Sequence, residues 1–153
     1  MESHTILLVD DEPTNLRLME KAVRSDFKTI TASSGEEALQ ILQRQEVSVL
    51  ISDQRMPGMS GTELLRHART IDPDIICVLV TAAKDIPTYI DAMVNSGAIG
   101  VIHKPWNRDA FMGTIRDAIR KHEDRLTSKQ ALDKLKGAIN TLDKIAHSKE
   151  SPV

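Results

Sequence analysis

Five short apolar runs recur along the chain at intervals of about twenty residues, and each stops abruptly at polar or charged residues. They occupy residues 5–9, 27–32, 47–52, 75–80 and 99–102, the second being weaker and more polar than the rest. Runs that are apolar at successive positions, rather than at alternate ones, suit parallel strands covered on both faces. The stretches between them carry helical spacing. Leu16, Met19, Ala22 and Val23 mark a helix over 13–24, which Pro13 can open from its first turn. Ala38, Leu39 and Leu42 mark one over 36–45, and Leu64, Leu65 and Ala68 one over 61–70. Pro87 opens a fourth that runs to Asn95, with Gly97 just past its end. Strand and helix alternate five times, which predicts an α/β fold of βαβ units with right-handed crossovers and the polar run 27–32 at a sheet edge.

A chain of 153 residues can bury a core without staples, and 41% hydrophobic with only 3% aromatic residues makes that core aliphatic. A formal charge of -2 gives no electrostatic reason to expect a polyanion. The single cysteine, Cys77, excludes an internal disulfide and a cysteine metal cluster, and within the run 75–80 it reads as a small buried hydrophobe. The N-terminus has no signal-peptide pattern, and no apolar run has the length of a membrane span. A cytoplasmic, reducing setting is expected, without membrane contact.

In a parallel sheet every strand ends at the same edge, and ligands bind there. The first run ends in Asp10 and Asp11, the third in Asp53, the fourth in Thr81 and the fifth in Lys104. Three converging carboxylates repel one another unless a cation sits among them. Hard oxygen ligands in that number suit Mg²⁺, which keeps several of its waters. With a lysine and a hydroxyl opposite, the set is equipped for a phosphoryl group, and an aspartate can serve as nucleophile.

The motifs Ile6-Leu7-Leu8-Val9-Asp10-Asp11-Glu12, Ile51-Ser52-Asp53-Gln54-Arg55-Met56-Pro57-Gly58-Met59-Ser60-Gly61, Val80-Thr81-Ala82 and Gly97-Ala98 through Lys104-Pro105-Trp106 occur in order over residues 4–121. In this the chain resembles the receiver domains of two-component response regulators. The resemblance implies a doubly wound (βα)5 sheet of flavodoxin-like order 2-1-3-4-5. It implies Asp53 as phosphoacceptor and Mg²⁺ held by Asp11, Asp53 and the backbone carbonyl of Arg55, with Asp10 acting mainly through water. Lys104 pairs with Asp53 and then with the phosphoryl oxygens, and Thr81 donates its hydroxyl to them. A cis Lys104–Pro105 peptide and a histidine kinase or phosphotransfer protein as donor are implied as well.

One position departs from the family pattern. Where many receivers carry a switching aromatic, three residues before the lysine, this chain has Val101. Any switch must use Thr81, the segment 82–85, the fourth helix and Trp106. Trp106 itself reads either as a packing residue or as an aromatic facing a partner on the fourth helix, fifth strand and fifth helix. Arg55 and Ala83 flank the path of a hydrolytic water in this family. Ala83 cannot orient that water, which implies slow autodephosphorylation. An aspartyl-nucleophile phosphatase would need an acid where Arg55 stands, and a pseudo-receiver would lack one of the site residues. The chain therefore reads as a switch rather than an enzyme, standing alone or as the receiver of a longer regulator.

The domain plan is a receiver over 1–121, a helical extension over 122–147 and a frayed tail over 148–153. From Asn107 to about Ala146 no proline interrupts the helical pattern. Leu132, Leu135, Ile139, Leu142 and Ala146 alternate at steps of three and four, the seam of a coiled coil. Two heptads leave open whether that seam pairs in parallel with a second copy, making a homodimer, or folds back on its own domain. Its mixed charges and lack of a recognition motif exclude nucleic acid as the expected partner.

Overall fold

The computed structural model describes residues 4–82 and 86–149. Five strands run β1 (Thr5–Val9), β2 (Lys28–Ala32), β3 (Val49–Asp53), β4 (Ile76–Thr81) and β5 (Gly100–His103). They form one parallel sheet in the order β2-β1-β3-β4-β5. The helices between them are α1 (Pro13–Val23), α2 (Gly35–Arg44), α3 (Gly61–Ile71) and α4 (Ile86–Ile90), and α5 (Arg108–Lys149) follows β5. Every residue of β3 and β4 is buried, whereas edge strand β2 is buried only at Ala32. This is why β2 alone tolerates a polar sequence.

Alternation along each strand sorts the core into two layers. Ile6 and Leu8, Val49 and Ile51, and Ile76, Val78 and Val80 pack with Met19 of α1 and with Phe111, Ile115 and Ile119 of α5. Leu7 and Val9, Leu50, and Cys77 and Leu79 pack on the other face with Leu42 of α2, Leu64 and Leu65 of α3, and Ala92. Burial of Cys77 in that second layer leaves it the packing role its sequence context indicates.

Local chemistry fixes where helices begin. α2 and α3 share the pattern Ser-Gly-x-Glu, and in each the serine hydroxyl accepts the backbone N–H three residues on, Ser34 from Glu37 and Ser60 from Glu63. The Glu37 carboxylate reaches back to the backbone N–H and hydroxyl of Ser33, at 3.0 and 2.8 Å. Each serine satisfies a donor the helix itself cannot, and in α2 the Glu37 carboxylate adds a return contact to the residue before the cap.

Several boundaries differ from the sequence expectation. Asp53 and Thr81 remain inside their strands, because Asp53 still pairs with Val80 and Thr81 with His103. The fourth helix is α-helical only to Ile90, and Asp91–Asn95 forms a π-helical turn closed by the Ser96 N–H on the Asp91 carbonyl. Arg66 of α3 ties this turn down, with Nη1 3.4 Å from both the Asp91 carboxylate and the Ser96 hydroxyl. Finally, α5 continues to Lys149, two residues into the stretch expected to fray.

The chain divides into two compact units, Met1–His122 and Glu123–Val153. Within the second, Leu132, Leu135, Ile139, Leu142 and Ile145 are each about half exposed or more, and the helix passes Gly137 without a break.

Candidate functional site

The carboxyl ends of β1, β3, β4 and β5 bring Asp10, Asp11, Asp53, Thr81 and Lys104 to one edge of the sheet. Asp53 continues the alternation of Val49 and Ile51, so it leaves β3 on the face shared with α1 and α5. It is buried, and its two carboxylate oxygens have separate partners. Oδ2 accepts the backbone N–H of Arg55 at 3.1 Å, and Oδ1 forms an ion pair with Nζ of Lys104. The same ammonium lies 3.9 Å from Oδ2 of Asp10. Lys104 is held at this point through its backbone N–H, which donates to the Thr81 carbonyl at 3.1 Å. The peptide that follows it, Lys104–Pro105, is cis.

Asp10 is the most sequestered acid of the site. Its Oδ1 accepts the backbone N–H of Glu12 at 2.9 Å, while Oδ2 is buried without a hydrogen bond. Burial raises the Asp10 pKa above the ordinary aspartate value. The Glu12 hydrogen bond opposes the rise, and the neighbouring Asp53 carboxylate adds to it. Asp10, Asp11 and Asp53 each offer an oxygen, and these atoms lie within 4.8 Å of one another. A buried carboxylate oxygen without a hydrogen bond, in a set of hard oxygen donors, fits a small divalent cation of the Mg²⁺ kind. Beside it, the Lys104 ammonium and the buried Thr81 can receive the oxygens of a phosphoryl group.

The loop after Asp53 is tied to α3 by a residue the sequence reading passed over. The Gln54 side chain accepts the Thr62 N–H at 2.9 Å and contacts the Thr62 hydroxyl at 3.4 Å, and the Gln54 carbonyl accepts the Gly61 N–H at 3.0 Å. An amide beside a strand-terminal acid, seven residues before a capped helix start, is the signal that could have marked it. Gly61 itself approaches β3 so closely that a Cβ there would lie 2.7 Å from Leu79 Cδ1 and nearer still to the Asp53 carbonyl oxygen.

Of the other tuning positions, Val101 is partly buried against the layer that contains Leu79 and Ala92. Two residues on, His103 meets Tyr89 of α4, with the Tyr89 hydroxyl 3.3 Å from Nδ1 and the rings 5.2 Å apart. Trp106 is half-buried and stacks on Phe111 at 4.3 Å, on the α1 and α5 side of the sheet. The stack is the kind of contact a packing residue makes. The side chain of Arg55 is exposed. Ala83 lies outside the described residues.

The family model for the response regulator receiver domain matches residues 6–116. The chain is 36% identical over 115 residues to the hydrogenase transcriptional regulatory protein HoxA of Cupriavidus necator, an alignment covering 75% of this chain and 24% of that protein. Its namesake from Bradyrhizobium diazoefficiens is 27% identical over 166 residues, covering 97% of this chain and 34% of that one. The chain thus spans about a quarter to a third of the length of these curated relatives. Among solved structures, that of an adenylate cyclase from Rhodopirellula baltica is similar with a TM-score of 0.79 at 33% identity, over 87% of this chain and 98% of that one. No helix among the described residues is long and apolar enough to cross a membrane.

Proposed function

The chain belongs to the response regulator receiver domain family, and on that premise we propose that Asp53 accepts a phosphoryl group from a histidine kinase or phosphotransfer protein. The observation that carries the reading is the Asp53 carboxylate, ion-paired to Lys104 within ligand distance of Asp10 and Asp11. One Asp53 oxygen attacks phosphorus as the donor's bond to it breaks, giving an aspartyl phosphate. Lys104 turns from the carboxylate to the phosphoryl oxygens, and the Thr81 hydroxyl donates to one of them. Asp10, Asp11, Asp53 and the carbonyl of Arg55 would hold Mg²⁺, which supplies charge neutralisation for the transferring group. The chain catalyses only its own phosphorylation and a slow loss of the group, and a cytoplasmic setting fits that role.

The test is incubation with Mg²⁺ and acetyl phosphate, read by intact mass. One phosphoryl group is expected on the wild type and none on Asp53→Asn. An unchanged load on that variant would sink the assignment.

The readout lies on the α4, β5 and α5 face and in the C-terminal helix. Ile90, Met93 and Val94 are exposed together along α4 and its π turn, as a partner face requires. In the extension, full burial of one leucine or isoleucine contributes ~1.5–3 kcal/mol. About half of each of five side chains is left to bury, so two paired copies gain roughly 7–15 kcal/mol. Association costs about 4–15 kcal/mol, so a homodimer through this helix forms with modest affinity, and phosphorylation can shift it. The relatives' greater length favours a second arrangement, in which this receiver and helix are the front of a longer regulator that carries its own output.

A further inference from the structure

The carboxyl end of the sheet has one side rich in aromatic rings and one side almost without them. The chain holds two phenylalanines, one tryptophan and one tyrosine. Phe27, Phe111 and Trp106 all pack in the layer of α1 and α5, where Trp106 lines a cavity of about 570 Å³ with Leu18, Val80, Ala82, Asp10 and Lys104. Tyr89 alone lies elsewhere, on α4, against His103 of β5. Thr81 faces that other side. It continues the alternation of Cys77 and Leu79, both in the second layer. Its strand partner His103 continues that of Val101, which packs on the same layer. Thr81 is buried, whereas His103 beside it is exposed and meets the Tyr89 ring at 5.2 Å, a spacing at which aromatic rings attract.

We propose that Tyr89 and His103 are the switching pair of this receiver, the rings that follow Thr81 and carry the state of Asp53 to α4. The inference rests on Asp53 being the phosphoacceptor. To donate to a phosphoryl oxygen on Asp53, the Thr81 hydroxyl must leave the α4 side of the sheet end for the side that Asp53 faces. A close-packed interior does not keep the void a departing side chain leaves, so a neighbour moves in. Leu79 is fully buried and already packed with α3, and Val101 is short and stiff about its branched Cβ. His103 lies beside Thr81 across the sheet and, being exposed, has room to swing inward. Tyr89 is tied to it by the 3.3 Å contact of its hydroxyl with Nδ1, so α4 is drawn along. Ile90 follows Tyr89 directly, and Met93 and Val94 lie on the π turn beyond it. All three are exposed, so a shift of Tyr89 changes the apolar surface that α4 shows to a partner. With Val101 in place of the family's aromatic, the switching ring sits on α4 rather than on β5.

The experiment uses the full chain with Mg²⁺ and acetyl phosphate. Intact mass reads the phosphoryl load, and NMR reads the α4 side, where the single tyrosine gives one set of ring signals. In wild type these signals should move as the load rises. His103→Ala alters an exposed position, so it should load as wild type does while the Tyr89 signals stay in place. Thr81→Ala, held with the donor until its load equals that of wild type, should silence them as well. In Tyr89→Leu the amide signals of Ile90, Met93 and Val94 should lose the movement they show in wild type on loading. Tyr89 signals that stay in place in loaded wild type, or that move as far in either His103→Ala or Thr81→Ala as in wild type, would overturn the switching pair while leaving Asp53 as acceptor. A wild type that takes up no phosphoryl group, or an Asp53→Asn variant labelled equally, would overturn the acceptor assignment, and the pair with it.

Discussion

Replacing Gly61 by alanine tests how tightly α3 is set against the strand that carries Asp53. The added Cβ would sit 2.7 Å from Leu79 Cδ1, 3.0 Å from the Asp53 carbonyl carbon and closer still to its oxygen. Leu79 is fully buried in the second core layer, and the Asp53 carbonyl belongs to the β3 backbone, so neither neighbour can swing aside. Forcing one methyl into such packing costs ~1–3 kcal/mol, and a backbone neighbour puts the cost at the upper end. For a chain of this length each kcal/mol moves the melting temperature by about 2–4 °C, so a loss of roughly 4–12 °C is expected. The strain falls on the segment that aims Asp53, and phosphorylation should slow as well. Gly113→Ala is the control, because nothing lies within 4 Å of a Cβ there. In a helix interior that same change stabilises by about 0.5–1 kcal/mol. Calorimetry on the three proteins, with acetyl phosphate labelling beside it, reads both effects. Equal melting temperatures for Gly61→Ala and wild type would refute the argument from close approach.

Two further outcomes follow from other parts of the molecule. The Ser33 backbone and hydroxyl bonds hold the Glu37 carboxyl below its usual value, so its contribution to stability is present above the ordinary glutamate range and is lost as pH falls through the lowered value. Thermal melts of Glu37→Gln should therefore lie below wild type at neutral pH, at the low end of the ~0.5–2 kcal/mol of a helix cap, and converge with it in acid; a gap that persists in acid would exclude the carboxylate as its source. Analytical ultracentrifugation should find the full chain dimerising, and a chain ending at Lys121 or the pair Leu135→Asp with Ile139→Asp monomeric. A full chain that stays monomeric at high micromolar concentration would rule the paired helix out.

The strands were legible because a parallel sheet buries both faces, and a continuous apolar run has few other uses. Their exact ends were less so, since hydrophobicity stops one residue before hydrogen bonding does: Asp53 and Thr81 are polar, yet each still pairs across the sheet. The π turn at Asp91–Asn95 left no mark in the sequence. What accompanies it is tertiary, an arginine on α3 that reaches the Asp91 carboxylate and the Ser96 hydroxyl. The seam of the extension was readable from Leu132 to Ala146 by its alternating steps alone, and those residues, with Ile145 beside them, are exposed.

The acidic site and the cavity beside it differ in legibility for one physical reason. Topology alone sends the ends of parallel strands to one edge, so Asp10, Asp53 and Lys104 could be gathered without knowing any distance. The cavity has no such rule behind it. Leu18 lies on an exposed helix face, Val80 and Ala82 flank Thr81, and Trp106 follows a cis proline. Each has an ordinary explanation where it stands in the chain. Trp106 shows the consequence: placed by sequence on either of two faces, it is committed by its stack on Phe111 to the side of α1 and α5. Once there it lines the same cavity as Lys104 and Asp10. On the other side of the sheet end, Thr81 pairs with His103, whose ring meets Tyr89 of α4, a contact between the strand that ends the site and α4 that no pattern in the sequence announced.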